Sequence, residues 1–451
     1  MMRYILSILT VLFFTSPAFA KDRFLDIQEL TTQSGISVWL VEDHSVPVIS
    51  LKFSFKGAGS FVEPNEKQGL VQLLSNTLDE GAGDLDSHDF QKVLSDNSIS
   101  LSFSGGRDNF SGSVKTLTTH KDKAFDLLQL ALTKPRFDAE PLERMKQANI
   151  SRIKQSMTQP NWMAARLMND IAFAGHPYAR NSGGTLSSLP KITAEDLRAF
   201  IKRELSSERL VIAISGDITA TQAILDIDKI FKALPRIKRD QLFLPLKLQN
   251  KKSVTLFEQP IPQTIIRISL PGIRQSDGEY YAAKVMNHIF GGGGFGSRLM
   301  ETIREKEGLT YGIYSGVSQM AMTEIFSIST STKNETAKQL VSLIKQEASL
   351  LKETPITEQE LTDAKSYILG SMPLSLTSTN ALSSIMISLQ LDNLPATYLD
   401  TIDQHIQAIT IKDVQTVAQR LLNFDNAITI FVGQPKDIAP TQTITKLPNV
   451  E

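Results

Sequence analysis

The stretch ISVWLVEDHSVPVISLKFSFKGAGS, residues 36–60, sets two β-rich runs on either side of the turn-prone Glu42-Asp43-His44-Ser45. It reads as a β-hairpin that opens a sheet. Residues 68–78 then have a helical period, with Leu70, Leu73, Leu74 and Leu78 on one face, and Gly81 and Gly83 end the helix. A second helix starts near residue 90. Strands are expected over 99–103 and 109–116, and helices over 121–132 and 141–157.

Working outward, the same order returns in the second half. A strand reads over 264–270 and a helix over 278–290, stopped by Gly291–Gly294. Another helix covers 297–307 and is stopped by Gly308. Strands over 309–317 and 324–330 and helices over 335–351 and 357–369 complete the series. Asn65 matches Asp277, Ile99 matches Leu309 and Ala124 matches Ala337. Ile192-Thr193 before Asp196-Leu197 matches Ile409-Thr410 before Asp413-Val414, and Gly216 matches Gly433. The offset drifts only from about 210 to about 217 positions, so this is one fold written twice rather than a short solenoid period. The fold class is therefore α+β: two tandem homologous domains, each a mostly antiparallel sheet covered by helices on one face. The expected boundaries are residues 21–235 and 253–451, joined by a linker at 236–252 with prolines, several cations and no clean period.

Residues 1–20, MMRYILSILTVLFFTSPAFA, have the layout of a secretory leader: Arg3, an apolar run, then Ala18-Phe19-Ala20 as a small-x-small cleavage site. The expected location is a bacterial periplasm, with no membrane span in the mature chain. The 451 residues include 47 basic and 48 acidic side chains, which gives no basis for nucleic-acid binding. The absence of cysteine removes disulfides, thiolate metal sites and a cysteine nucleophile together.

The chemistry is marked first by what is missing. Neither G-x-S-x-G nor G-x-x-x-x-G-K-[ST] occurs. The G-x-G-x-x-G at Gly291, Gly293 and Gly296 follows a helix rather than a strand, so a dinucleotide site is not expected. The six histidines are never spaced as paired ligands on a helix. The acidic run at Asp84–Asp89 is read as a helix cap by Asp86 or Ser87, not a metal loop. His176-Pro177-Tyr178 reads as a turn, Trp39 and Trp162 as packing residues, and Glu63 and Glu66 as acids near a helix start.

The chain resembles the pitrilysin and mitochondrial-processing-peptidase family, the zinc peptidases with the inverted H-x-x-E-H motif. The matching stretches are LVEDHSVPVISLKFSFKGAGSFVEP (40–64), GHPYARNSGGTLSSLPKITAEDLRAF (175–200), the strand ending in SGDI, and GGGGFGSRLMETIREKEGLTYGIYSG (291–316). The resemblance runs from about residue 30 to about 435. It implies a LuxS/metallohydrolase-like clam-shell half. In active members the helix after the second strand carries H-x-x-E-H. Here the two histidine positions hold Gln72 and Asn76, and the glutamate position holds Ser75. Alignment of the long helix puts Ser151 at the third zinc ligand. Neutral amide and hydroxyl oxygens are poor zinc ligands, and without the metal no bound water reaches a pKa near 7. The chain is thus expected to hold no metal or cofactor of its own.

The family's second-domain arginine and tyrosine, spaced R-x-x-x-x-G-L-x-Y, are present as Arg304 and Tyr311. The resemblance implies that they bind a substrate carbonyl or its oxyanion across from a zinc site. The first expectation is a non-catalytic subunit that lends Arg304 and Tyr311 to a zinc-bearing H-x-x-E-H partner. Peptide would lie along the flexible backbone of Gly291, Gly292, Gly293 and Gly294. Metalloendopeptidase activity is expected only with that partner. The alternatives are a peptide-binding or assembly protein with no proteolytic role, or a zinc enzyme with unusual ligands.

Overall fold

Among the described residues, twelve strands build two six-stranded sheets. The computed structural model describes residues 23–238, 243, 245–246, 248, 252–448 and 450–451. The leader at 1–20 lies outside the described residues, as does most of the 236–252 linker. The first sheet contains β1 (Gln28–Thr31), β2 (Ser37–Glu42), β3 (Val48–Lys56), β4 (Ser100–Gly105), β5 (Asn109–Leu117) and β6 (Leu210–Gly216). The second contains β7 (Ser253–Glu258), β8 (Gln263–Pro271), β9 (Ile313–Gln319), β10 (Glu324–Lys333), β11 (Ile428–Gly433) and β12 (Gln442–Ile444). Their orders are β1-β2-β6-β3-β5-β4 and β12-β7-β11-β8-β10-β9. The duplication is therefore repeated strand for strand, apart from the first edge: β1 runs antiparallel to β2, whereas β12 runs parallel to β7.

The hairpin expected at residues 36–60 does not form. β6 lies between β2 and β3, parallel to the first and antiparallel to the second. The reason is in its sequence, LVIAISG: an uncharged run, buried along nearly its whole length, which belongs in the middle of a sheet and not at an edge. β11 does the same between β7 and β8. The turn at 42–45 is thus the gap into which a strand from much later in the chain is inserted.

Each half lays its own helices on one face of its sheet. In the first half Ile49, Leu51, Phe53 and Phe55 of β3 pack against Leu94, Leu128, Leu197 and Phe231. The opposite face carries a helix from the other half. Pro160–Ala172 lies on β8 and β11, with Met163, Leu167 and Met168 among Ile265, Ile430 and Val432. Thr379–Leu391 lies on β3 and β6, where Ser383 hydrogen-bonds Ser50 at 2.8 Å and Gln390 Nε2 donates to the Ile212 carbonyl at 2.9 Å. Each half therefore completes the other.

Local signals fix the helix starts. The repeated Thr193/Asp196 and Thr410/Asp413 pairs are both reciprocal capping boxes. Asp86 caps Ser87–Asp96 by accepting from the Asp89 N–H. The helix expected over 68–78 is shorter, Leu70–Ser75, and the one expected over 278–290 ends at Asn287 and continues as a π-helical turn, His288–Gly292.

Candidate functional site

Leu70–Ser75 starts where Glu63, buried in the preceding loop, accepts the backbone N–H of Gly69 at 3.0 Å and of Val71 at 2.7 Å. The carboxylate does the work of an N-cap. Burial pushes its pKa up to about 8, against those two N–H donors and Arg180, which favour the charged form. Gly69 has φ 89°, and a Cβ there would meet the Gly183 carbonyl at 2.8 Å, so only glycine lets the helix begin this close to the 183–184 loop. On the other side, a Cβ on Gly105 would meet the Val71 carbonyl at 2.7 Å, so edge strand β4 presses on the same helix.

Gln72, Ser75 and Asn76 lie together at one end of this helix and bond one another. Gln72 Nε2 donates to Ser75 Oγ at 3.2 Å and to Asn76 Oδ1 at 3.1 Å, and Ser75 Oγ donates to the Gln72 carbonyl at 2.8 Å. The partner from the long helix Ala139–Ser156 is Asn149, not Ser151. Asn76 Nδ2 donates to Asn149 Oδ1 at 2.7 Å, and Asn149 is 2% exposed. Ser151 faces solvent. Helical geometry explains the correction: Leu142, Asn149 and Ile153 share the buried stripe, and a residue two positions from Asn149 points away from it. That stripe, a lone asparagine among apolar residues at helical spacing, was the available signal.

These four positions do not fit zinc. The donors are amides and a hydroxyl, already committed to one another, and no group of three or more His, Cys, Asp or Glu side chains able to hold a metal occurs among the described residues.

Arg304 lies in the π-helical segment Met300–Lys306. Gly308, at φ 63°, closes the segment: its N–H donates to the Arg304 carbonyl and the Leu309 N–H donates to that of Ile303. Tyr311 does not open the next strand. It occupies a bend two residues before β9, pinned by Thr310 Oγ1, which donates to the Gly312 carbonyl at 2.9 Å and accepts its N–H at 3.1 Å. The Tyr311 side chain is 86% exposed, with no hydrogen bond to a described residue. The Arg304 guanidinium pairs with Glu305 and stands 4.6 Å from the ring centroid of Phe295, itself 70% exposed. Phe295 was missed by sequence reasoning, although it is the one bulky residue within the glycine run. Arg304 and Tyr311 both lie away from the 730 Å³ cleft at Asp84, Lys134, Arg136 and Asp138.

The glycine run is less of a free loop than its composition suggests. A Cβ on Gly291 would meet Ser315 Oγ at 2.6 Å, and one on Gly293 the His288 carbonyl at 2.7 Å, so these residues let a tight turn pack on β9. Gly292 is exposed but closed in by the Asn287 amide, while Gly294 and Gly296 face open space.

Residues 38–185 match the family described as insulinase, peptidase family M16, and residues 191–368 match the peptidase M16 inactive domain. A Helicobacter pylori protein named non-peptidase homolog YmxG is 28% identical over 85% of this chain and 88% of its own length. A Bacillus subtilis protein named uncharacterized zinc protease YmxG is 24% identical over 90% and 98%. A Pseudomonas fluorescens structure described as a peptidase M16 inactive domain superposes with a TM-score of 0.84 at 29% identity, covering 92% of this chain and all of that one. The chain belongs to the M16 peptidase family, as a homologue of its inactive type.

Proposed function

We propose that this chain is the non-catalytic subunit of a periplasmic zinc-peptidase complex, and that it contributes Arg304 and Tyr311 to a family partner carrying H-x-x-E-H and zinc. The observation that carries the reading is the contrast between the two halves. In the first, Gln72, Ser75, Asn76 and Asn149 are closed into their own hydrogen-bond network. In the second, a phenol that is 86% exposed is held on a pinned bend, beyond a helix end that presents Arg304. A cation and a phenol O–H aimed at a developing oxyanion stabilise it without reorganisation. Gly291, Gly292, Gly293 and Gly294 would support the peptide backbone, with Gly294 offering the open approach. The leader-like residues 1–20 support the compartment, and among the described residues no helix is long and apolar enough to cross a membrane.

The test is to assay peptide cleavage by the mixture of this chain and the partner. Arg304→Ala and Tyr311→Phe should each lower turnover by about a hundredfold. Unchanged turnover would refute the role. The second reading, a peptide-binding or assembly protein with no proteolytic part, draws on the exposed Phe295, Tyr311 and Tyr314. It predicts binding of peptide by the chain alone.

A further inference from the structure

The sheet faces that receive the exchanged helices are only partly covered by them, and what remains has one chemistry. In the first sheet the strands past helix Thr379–Leu391 present serines in register. Ser102 pairs with Ser113, which pairs with Lys52, and Ser54 Oγ lies 2.8 Å from Ser111 Oγ. In the second sheet Tyr314 pairs with Ser329, which pairs with Arg267. Lys52 and Arg267 occupy corresponding places: each lies opposite the matching residue of the inserted strand, Ala213 in one sheet and Ile430 in the other. The alternation of the strands puts no aspartate or glutamate on this face of β3, β5 and β4, nor of β8, β10 and β9.

Both cations are half-buried, and neither has an ion pair or hydrogen bond to a described residue. The Arg267 Nε is fully buried without a partner. Burial holds both pKa values below their ordinary ones, with no acid nearby to oppose it. A desolvated, unpaired cation costs stability unless something supplies the missing anion. Exposed cations elsewhere on the chain are commonly paired, as Arg420 is with Asp277 and Glu279.

We infer that these two hydroxyl-lined faces bind extended peptide segments rich in aspartate and glutamate, with Lys52 and Arg267 each taking a carboxylate. Serine hydroxyls donate to the remaining carboxylate and carbonyl oxygens. This rests on the reading that the chain handles peptides and adds their class: acidic rather than basic.

The probe is a fluorescein-labelled Glu-Ser repeat peptide, compared with its Lys-Ser counterpart, with anisotropy measured on the full mature chain alone. The acidic peptide should bind, raised salt should weaken it, and the basic one should not bind. Lys52→Gln and Arg267→Gln should each weaken binding about tenfold. Their melting temperatures should hold or rise, because each removes an unpaired charge. Lys52→Arg and Arg267→Lys keep the charge and should keep most of the affinity. Equal binding of the two peptides overturns the inference. So does failure of the Glu-Ser peptide to bind, or charge-retaining substitution that binds no better than glutamine. None of these outcomes depends on the partner, so they stand apart from the cleavage assay on Arg304 and Tyr311.

Discussion

Asn149 and Ser151 are two positions apart on one helix, yet one is sealed against Asn76 and the other is in solvent. The difference can be tested by rebuilding a metal site. With Gln72→His, Ser75→Glu and Asn76→His in place, adding Asn149→Glu supplies the third ligand and should yield about one zinc per chain by metal analysis. Replacing that last change by Ser151→Glu leaves two protein ligands and should yield a chain that loses zinc on dialysis. Glu63 gives a second test at this scale. Its pKa in the folded chain is raised from an ordinary 4.5 to about 8. The stability it contributes is thus fully present below the unfolded value and is lost as pH rises through the folded one. Melts of wild type and Glu63→Gln across about pH 5 to 9 should show the variant gaining on wild type as pH rises. A constant difference would mean that the two N–H donors keep the carboxylate ionised throughout.

At the scale of elements, strand β6 ends at Gly216, with φ 119°, where a Cβ would meet the Val48 carbonyl at 2.0 Å and Thr379 Cγ2 at 2.9 Å. Gly216→Ala should therefore destabilise by about 3 kcal/mol or more, read as a fall in melting temperature. Gly316→Ala in β9 meets open space and should stay within about 0.5 kcal/mol of wild type. Gly216 was visible in the sequence as the partner of Gly433, and helices such as Lys121–Thr133 and Ala139–Ser156 were read within two residues of their observed ends. Local period and caps carry that information. Strand adjacency does not: nothing in residues 36–60 states that LVIAISG will separate β2 from β3, because the insertion is decided by burial on both faces of a distant run. The site shows the same division. Gln72, Ser75 and Asn76 share one helix, and only the family resemblance singled them out. Asn149 was displaced by an alignment that ignored which face of its helix is buried, and Tyr311 fell in a bend because Thr310 hydrogen-bonds across Gly312.

At the scale of the whole molecule, the duplication explains both the strand order and the trade of helices between halves. Two copies of one unit, each with an open sheet face, can satisfy both faces by giving up one helix apiece. This trade was not legible in the sequence, since Pro160–Ala172 and Thr379–Leu391 have the apolar content of ordinary core helices and carry no mark of which sheet they will cover. The exchange has a consequence for timing. During synthesis the first sheet can assemble once β6 has emerged, but Trp39, Val41 and Ala213 stay uncovered until the ribosome has produced residues 379–391. For well over a hundred residues of elongation the nascent chain presents a finished sheet with an uncovered apolar patch at these three residues, open to chaperones and to aggregation.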